Sequence, residues 1–200
     1  MPLLIASTNE GKMREIRLLL AGLALPLTSL NDLPATHEPD ETGATFPENA
    51  RIKAHAYAAA SGLMTLAEDS GLAIDALGGR PGVHSARYPG ATYPDKFANL
   101  WRELFTHKRP WSCRYVSAVA VVSGSTGRVL FETVATVEGE IWPEARGSHG
   151  FGYDPVFYHP PYGRTFGEVG DEEKLAVAHR GQAIAVFRQW VERGGLKSDP

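Results

Sequence analysis

Seven polar side chains in this sequence have the chemical character that phosphate chemistry requires. An acidic pair can hold a hard divalent cation while one carboxylate orients a water molecule, and cationic side chains neutralise phosphate oxygens. Each of the seven lies in a short segment rich in glycine and turn residues, so we expect these segments to be loops that converge on one cleft. The residues are Asn9, Lys12, Glu68, Asp69, Lys174, His179 and Arg180. This set predicts a metal-dependent enzyme that acts on a phosphorylated substrate.

The acidic pair, Glu68 and Asp69, gives the sharpest of these signals. Short apolar runs at 63–67 and 72–77 flank the pair, so we expect both acids to lie on a turn between two strand-like pieces. Magnesium is the cation that we expect there. The alternative is an ordinary surface turn, because Asp-Ser-Gly sequences are common in loops.

Two further residues are candidates for the same site. Glu41 lies in a proline-rich connection, residues 26–47, and is a candidate metal ligand, although acids in polar loops are usually only solvated. Lys53 lies in an alanine-rich segment that predicts a helix from Glu48 to a stop at Gly62. A helical lysine is usually a surface residue, so Lys53 is functional only if its helix faces the cleft.

A polar loop joins the first strand candidate, residues 3–6, to the first helix candidate, residues 10–21. Free backbone N–H groups and the helix dipole would favour an anion there, and Lys12 would add a positive charge. The loop is not a Walker A motif, because Met13 follows Gly11-Lys12. The plainer alternative is a helix N-cap with a solvated lysine. The candidate substrate-binding residues of the loop are Ser7, Thr8, Asn9, Glu10, Gly11 and Lys12.

The second half of the chain carries candidates for binding a planar base. A glycine-rich loop offers backbone freedom, two aromatic rings for stacking and a carboxylate that can accept a hydrogen bond from the base edge. A core turn with buried aromatic rings is the alternative. Three donor side chains follow near the last helix, where they can instead serve as capping charges. The loop residues are Phe151, Gly152, Tyr153 and Asp154, and the later donors are Lys174, His179 and Arg180.

The composition limits the class of protein. With 200 residues, of which 43% are hydrophobic, the chain can bury one sizeable core. A formal net charge of −3 provides no broad basic surface for nucleic-acid phosphates, and no stretch approaches membrane-spanning length. Cys113 is the only cysteine, which favours a reducing compartment, so we expect a cytoplasmic protein. The expected partner is a small phosphorylated molecule, with no nucleic acid and no membrane.

The order of the elements predicts the fold class. Strand and helix candidates alternate early in the chain, whereas residues 115–122 and 129–137 form the clearest hairpin. This order predicts an α/β fold in which helices pack on a mixed sheet. We expect one domain over residues 1–200, with residues 195–200 as a flexible tail.

Six segments, in chain order, resemble the motifs of the inosine triphosphate pyrophosphatase family, the Ham1-like non-canonical purine nucleoside triphosphate pyrophosphatases. The match runs from residue 3 to about residue 190. The segments are Ser7–Lys12, Phe46–Ala50, Glu68–Leu72, Gly82–Tyr88, Gly150–Pro155 and Ala178–Gly181. Each motif alone is modest, and their shared order carries the resemblance.

The resemblance implies a homodimeric α/β enzyme whose long mixed central sheet and flanking helices form two lobes around a cleft. It implies hydrolysis of ITP, dITP or XTP to the monophosphate and pyrophosphate with Mg²⁺, which cleanses the nucleotide pool. By this resemblance the 7–12 loop and Lys53 grip the triphosphate, and Asp69 binds the metal and activates water. Ser70 assists from the same loop, and the residues themselves add Glu41 and Glu68 as candidate metal ligands. The base and a phosphate would be held by Phe151, Gly152, Tyr153, Asp154, Lys174, His179 and Arg180, the last two being candidates for reading the oxygen at purine C6.

The chain departs from the family pattern at three positions. Glu68 stands where the family commonly has an aspartate, Ala178 where it has a serine and His149 where it has a glycine. Glu68 keeps a carboxylate, whereas His149 beside the base loop bears on base preference. Two other functions stay open: a Maf-like pyrophosphatase for pyrimidine or modified nucleotides, and a nucleotide-binding sensor without turnover.

Overall fold

The computed structural model of the chain describes residues 2–34 and 37–198, and seven strands and five α-helices lie within them. In chain order these elements are β1 (Leu3–Ala6), α1 (Glu10–Leu20), β2 (Leu27–Ser29), α2 (Phe46–Ser61), β3 (Met64–Ile74), α3 (Tyr93–Leu104), β4 (Ser112–Val122), β5 (Val129–Ile141), β6 (Phe157–His159), β7 (Arg164–Thr165), α4 (Asp171–Leu175) and α5 (His179–Glu192). In this part of the chain, none of the helices combines the length and the apolar character needed to traverse a bilayer.

The strands form one mixed sheet in the order β2-β1-β3-β4-β5-β6-β7. Strand β1 pairs in parallel with β2 and β3, and β6 pairs antiparallel with β5 and β7. The neighbours β4 and β5 are joined by a short loop, in which the Ser123 N–H donates to the Arg128 carbonyl at 2.9 Å. So short a connection fits only an antiparallel hairpin. The predicted α/β class, the mixed central sheet with flanking helices and the hairpin are therefore confirmed.

The chain divides into two compact units, each assembled from separate segments. Unit 1 contains the described residues of Met1–Asp69, Ser117–Ala135 and Arg180–Pro200, and unit 2 contains Ser70–Val116 and Thr136–His179. The single domain over residues 1–200 stays a prediction. The predicted flexible tail also stays a prediction, because Gly195–Ser198 forms a 3-10 turn and residues 199 and 200 lie outside the described residues.

Unit 1 buries both faces of its strands. Successive residues of a strand point to opposite faces, and two apolar clusters follow this alternation. Leu3 and Ile5 pack with residues of α1 and α5, whereas Leu4 and Ala6 pack with residues of α2. Because helices cover both faces, β1 is buried along its whole length, as expected for a parallel strand.

The limits of α2 follow from local sequence chemistry. The Thr45 side chain accepts a hydrogen bond from the Glu48 N–H, and the Glu48 side chain accepts one from the Thr45 N–H, which together form a capping box. The helix ends at Gly62, whose φ of 68° is left-handed and suits glycine. The predicted stop is confirmed, and the helix starts two residues before the predicted Glu48 because Thr45 is its cap.

Unit 2 has one continuous apolar core. Helix α3 contributes Phe97, Leu100 and Leu104, which pack with Tyr115 of β4 and Phe157 of β6. This core supports the strand ends and turns that carry the second group of predicted site residues.

The structure corrects one prediction about the acidic pair. Strand β3 runs without a break from Met64 to Ile74, so Glu68 and Asp69 lie inside a strand and not on a turn. Periodicity favoured two short pieces because buried acids are unusual in a strand interior. They are tolerated here because cations from other elements neutralise them.

Candidate active site

Glu68 and Asp69 point to opposite faces of β3. Met64 and Leu66 belong to the cluster that includes α1 and α5, and Ala67 belongs to the cluster that includes α2. Strand alternation therefore directs Glu68 toward α1 and α5, and Asp69 toward α2. The two residues are only 2% and 6% exposed. Each is the centre of an ionic group in unit 1, and the two groups interact electrostatically, since the charge of Lys12 acts on both carboxylates.

Cationic groups lie against both oxygens of Glu68, and a hydroxyl donates to one of them. The ammonium of Lys12 lies 2.8 Å from Oε2, the Ser117 hydroxyl donates to Oε1 at 2.8 Å, and Nη2 of Arg180 lies 3.1 Å from the same oxygen. The other end of the Arg180 guanidinium donates to Glu15 on α1. These buried charges stabilise one another, since a carboxylate out of water is costly unless it is paired.

The loop before α1 places Lys12 in this group. Asn9 is the N-cap of α1, and its side chain accepts a hydrogen bond from the Lys12 N–H at 3.0 Å. The Asn9 N–H donates in turn to the Ser7 hydroxyl at 3.2 Å. The N-cap interpretation is correct for Asn9, but Lys12 is not merely solvated, because its ammonium contacts buried Glu68. Thr8, Asn9 and Glu10 are exposed, so the loop is accessible to a ligand.

Asp69 contacts the helix that carries Lys53. The Lys53 ammonium lies 3.1 Å from Oδ1 of Asp69 and 2.8 Å from Oε1 of Glu41, so it joins the two carboxylates. Lys53 is buried, which makes it an exception to the usual surface position of a helical lysine. The second oxygen of Asp69, Oδ2, is buried and accepts no hydrogen bond from the residues that the structure describes.

Burial and neighbouring charges alter the ionisation of this group. Burial lowers the pKa of Lys12, although Glu68 opposes the shift. Burial also acts to lower the pKa of Lys53, but Asp69 and Glu41 outweigh it, and the pKa is raised. Burial raises the pKa of Asp69 despite the opposing charges of Lys53 and Lys12. Asp69 is therefore a stronger proton acceptor than an exposed aspartate.

The residues around Asp69 fit a magnesium ion. Across residues 2–34 and 37–198, no three His, Cys, Asp or Glu side chains are grouped to hold a metal by themselves. Magnesium does not need such a cage, because it is usually bound by one or two carboxylates together with waters and substrate phosphates. Asp69, with its buried Oδ2, and nearby Glu41 supply oxygen ligands of this kind. Glu68 fits less well, since Lys12, Ser117 and Arg180 engage its oxygens.

In unit 2, Asp154 fixes the glycine-rich loop. Its Oδ2 accepts hydrogen bonds from the Phe151 N–H at 2.8 Å and from the Lys174 ammonium at 2.5 Å. Lys174 and Asp154 are both buried, and the ammonium lies 5.1 Å from the centre of the Phe151 ring. Gly150 is required beside this carboxylate, because its φ is +71° and a Cβ there would lie 2.1 Å from Oδ2.

The two aromatic residues of the loop differ in their surroundings. Tyr153 is buried in the core of unit 2, and its hydroxyl donates to the Ser85 carbonyl at 2.8 Å. Phe151 is only partly buried. The core-turn alternative thus describes Tyr153, whereas the Phe151 ring is partly buried and lies under the Lys174 ammonium. Gly152, also partly buried, lies between them with a φ of +68°.

His179 begins α5 and packs on a strand residue that sequence reasoning did not select. Its ring stacks on Tyr115 of β4, with 4.7 Å between ring centres and 20° between planes. The Tyr115 hydroxyl donates to Oδ1 of Asp154 at 3.3 Å. Tyr115 therefore contacts two of the predicted base-site residues.

The structure distributes the predicted site residues over both units. Unit 1 contains Ser7, Thr8, Asn9, Glu10, Gly11, Lys12, Glu41, Lys53, Glu68, Asp69 and Arg180, and unit 2 contains Ser70, Phe151, Gly152, Tyr153, Asp154, Lys174 and His179. Sequence reasoning missed Glu15, Ser117 and Tyr115. Cys113, Tyr115 and Ser117 alternate along a strand candidate, and this spacing indicates that the three side chains share one face. Nothing in the local sequence distinguishes Glu15 from a surface acid.

The comparisons with known proteins all indicate the same family. Residues 3–190 match the model of the Ham1 family. A protein of Symbiobacterium thermophilum named dITP/XTP pyrophosphatase is 46% identical over 184 residues, covering 92% of this chain and 91% of that protein. A Geobacillus kaustophilus protein of the same name is 43% identical and covers 98% and 97% of the two chains.

Solved structures agree in fold. A HAM1 protein from Coxiella burnetii superposes with a TM-score of 0.87 at 36% identity, covering 96% of this chain and 99% of the other. A nucleoside-triphosphatase, dITP/XTP pyrophosphatase from Mycobacterium abscessus gives a TM-score of 0.75 at 38% identity, with 94% and 97% covered.

Proposed function

Because this chain belongs to the Ham1 family, we propose that it hydrolyses the non-canonical purine nucleotides dITP, ITP and XTP to their monophosphates and pyrophosphate. Relatives that match almost the whole chain carry the name dITP/XTP pyrophosphatase. The activity removes these nucleotides from the pool. The alternatives of a pyrimidine-specific enzyme and of a non-hydrolysing sensor are not favoured.

One structural observation carries the proposal. Asp69 is a buried carboxylate with one oxygen on the Lys53 ammonium and the other without a hydrogen bond within the described ranges. Lys12, in the same unit, follows the accessible loop at the start of α1. This arrangement combines a proton acceptor with two cations suited to a triphosphate.

In the proposed reaction, the Asp69 carboxylate accepts a proton from the attacking water. The water oxygen forms a bond to the α-phosphorus, and the bond from that phosphorus to the α–β bridging oxygen breaks, so pyrophosphate departs with the electron pair. Lys12 and Lys53 neutralise the charge that develops on the departing group. Magnesium, held by Asp69 and Glu41, would supply further charge neutralisation and polarise phosphoryl oxygens when bound.

We assign the selection of the base to residues of unit 2. The Phe151 ring stacks on the purine, and the Asp154 carboxylate accepts a hydrogen bond from the N1–H that hypoxanthine, xanthine and guanine carry, so this contact selects against adenine. His179 is a better candidate than Arg180 for donating to the oxygen at C6, because both ends of the Arg180 guanidinium contact carboxylates. Adenine would set its N1 lone pair against the carboxylate and its amino group against the His179 donor, which costs about 1–3 kcal/mol.

Pyrophosphate release from a nucleotide panel tests this function. The panel contains dITP, ITP, XTP, dATP, dGTP, dTTP and UTP, each with Mg²⁺ and with EDTA. We expect turnover of the first three, loss of turnover with EDTA and its recovery on adding Mg²⁺. The products must be a monophosphate and pyrophosphate, since release of inorganic phosphate would indicate cleavage at another linkage.

Three outcomes would contradict the proposal. Preference for dTTP or UTP would indicate a pyrimidine-specific pyrophosphatase. Tight dITP binding without turnover would indicate a sensor. Full activity in EDTA would remove the metal from the mechanism.

Two further properties belong to this proposal. The resemblance to the family supports a homodimer, and the single cysteine together with the nucleotide substrate supports a cytoplasmic location. Sedimentation velocity of the purified chain tests the first, and cell fractionation tests the second. A monomer at micromolar concentration would contradict the dimer.

A further inference from the structure

Tyr115 lies in the core of unit 2 and is only 6% exposed. Its ring stacks on Phe157, with 4.3 Å between ring centres, and on His179, with 4.7 Å between ring centres. Both stacked pairs have planes within about 20° of parallel. The strand residue Tyr115 therefore fixes the plane of the imidazole at the start of α5.

The hydroxyl of Tyr115 reaches a different group. It donates to Oδ1 of Asp154 at 3.3 Å, while Oδ2 of the same carboxylate accepts from Lys174 and from the Phe151 N–H. The two oxygens of Asp154 are thus held by separate donors.

The protonation of Tyr115 supports its role as a donor. Burial raises the pKa of the phenol well above its ordinary value, and the negative charge of Asp154 raises it further. The hydroxyl consequently keeps its proton at neutral pH and can donate to the carboxylate.

We propose that Tyr115 is a positioning residue that sets the preference for 6-oxopurines, by holding the Asp154 carboxylate and the His179 ring in a fixed relative geometry. The residue does not itself contact the nucleotide, and its effect on specificity passes through these two side chains. This inference rests on the proposed function, because it assigns the base contacts to Asp154 and His179.

The first test compares Tyr115→Phe with Tyr88→Phe in the full chain. Tyr115→Phe keeps the ring stack and removes the hydroxyl, and Tyr88→Phe removes a hydroxyl that donates to Glu103 in the same unit. The measured quantity is kcat/KM for dITP divided by kcat/KM for dATP. We expect this ratio to fall about fivefold in Tyr115→Phe, the net effect of one hydrogen bond, and to stay unchanged in Tyr88→Phe. An unchanged ratio in Tyr115→Phe overturns the proposal.

A second comparison separates positioning from packing. Tyr115→Phe should lower the ratio no further in a chain that already carries Asp154→Asn, because residues that act as a unit are not additive. Independent losses that multiply would overturn the proposal. A packing defect alone would reduce turnover of both nucleotides equally and leave the ratio unchanged, which also overturns it.

A separate variant tests the stacking of Tyr115 on His179. Tyr115→Leu removes the ring as well as the hydroxyl and should give a lower ratio than Tyr115→Phe. Equal ratios in the two variants would show that the stacking on His179 does not contribute to base preference, which would overturn that part of the proposal. Thermal melting checks that each variant is folded, and Tyr115→Phe alone still decides the role of the hydroxyl if Tyr115→Leu is not folded.

Calorimetric binding of dIMP and dAMP distinguishes this inference from the proposed function. Binding reports base preference without turnover. If the protein does not hydrolyse dITP, the proposed function is refuted, but the ratio of the dIMP and dAMP affinities still tests the role of Tyr115. A wild-type preference for dIMP that Tyr115→Phe reduces supports the inference. Equal binding of both monophosphates by the wild type overturns it.

Discussion

Glu15 on α1 and Arg180 on α5 form an ion pair in which neither side chain is more than 2% exposed. Arg180 also contacts Glu68 of β3, so one guanidinium links both helices to the strand that carries the acidic pair. Buried pairs of this kind cost desolvation, but removing one partner leaves an uncompensated charge. The integrity of the Glu68 group therefore depends on a residue of α1 that lies outside the 7–12 loop.

Glu15→Ala should destabilise the protein by about 3–5 kcal/mol, because it leaves Arg180 with one carboxylate fewer in a buried site. Urea unfolding followed by circular dichroism measures the loss. Glu132→Ala is the matched control, since it removes the carboxylate from a far more exposed pair with Arg51 and should cost less than about 1 kcal/mol. Similar losses in both variants would contradict the importance of the buried pair.

Asp69→Asn should reduce kcat for dITP by about 10²–10⁴-fold, because an amide cannot accept the proton from water at neutral pH. The fold should persist, since asparagine has the same shape and Lys53 keeps its contact with Glu41. Steady-state pyrophosphate release and thermal melting measure the two effects. Asp75→Asn, in an exposed pair with Arg114, is the control and should retain wild-type activity. Near-normal turnover by Asp69→Asn would refute its role as base.

Gly150→Ala should impair base discrimination, because its Cβ would lie 2.1 Å from Oδ2 of Asp154 and would displace that carboxylate. Gly78→Ala is the matched control. Gly78 has a similar φ of +65°, with no atom within 4 Å of the added Cβ, so both variants carry a backbone strain of about 1–2 kcal/mol but only one carries the clash. The ratio of kcat/KM for dITP to that for dATP should fall in Gly150→Ala alone. An equal fall in both variants would assign the effect to strain.

Thr92 and Asp95 form a capping box at the start of α3, and protonation of Asp95 should lower the stability of the protein at acidic pH. Hydrogen bonds from the Thr92 hydroxyl and from backbone N–H groups hold the pKa of Asp95 below its ordinary value of 3.8. A lowered pKa in the folded state means that Asp95 stabilises the fold above the unfolded-state pKa, and that this contribution is lost as the pH falls through the folded-state pKa. The free energy of unfolding, measured with urea between pH 7 and pH 3, should therefore fall less steeply in Asp95→Asn. Identical slopes in the variant and the wild type would contradict this contribution.

The sequence by itself determined the features that depend on neighbouring residues. The stop of α2 at Gly62 follows from the left-handed conformation that glycine adopts without a Cβ penalty. The hairpin of β4 and β5 follows from two apolar runs around a short turn segment. Asn9 could be recognised beside the start of α1 because capping is a contact within one helical turn. The order of the motifs also indicated the family, because it is a property of the linear chain.

Only the tertiary structure decided where the buried charges find their partners. Glu15 and Arg180 are 165 positions apart, and Glu68 and Ser117 are 49 positions apart, so no local pattern predicts these contacts. The continuity of β3 depends on the same contacts, since an acidic strand interior is stable only when distant cations neutralise it. Tyr115 read as a strand residue, and its contacts with Asp154 and His179 arise from the packing of β4 against the later segments of unit 2. Burial and charge pairing are properties of the folded chain, which is why the sequence indicated the chemistry but not its arrangement.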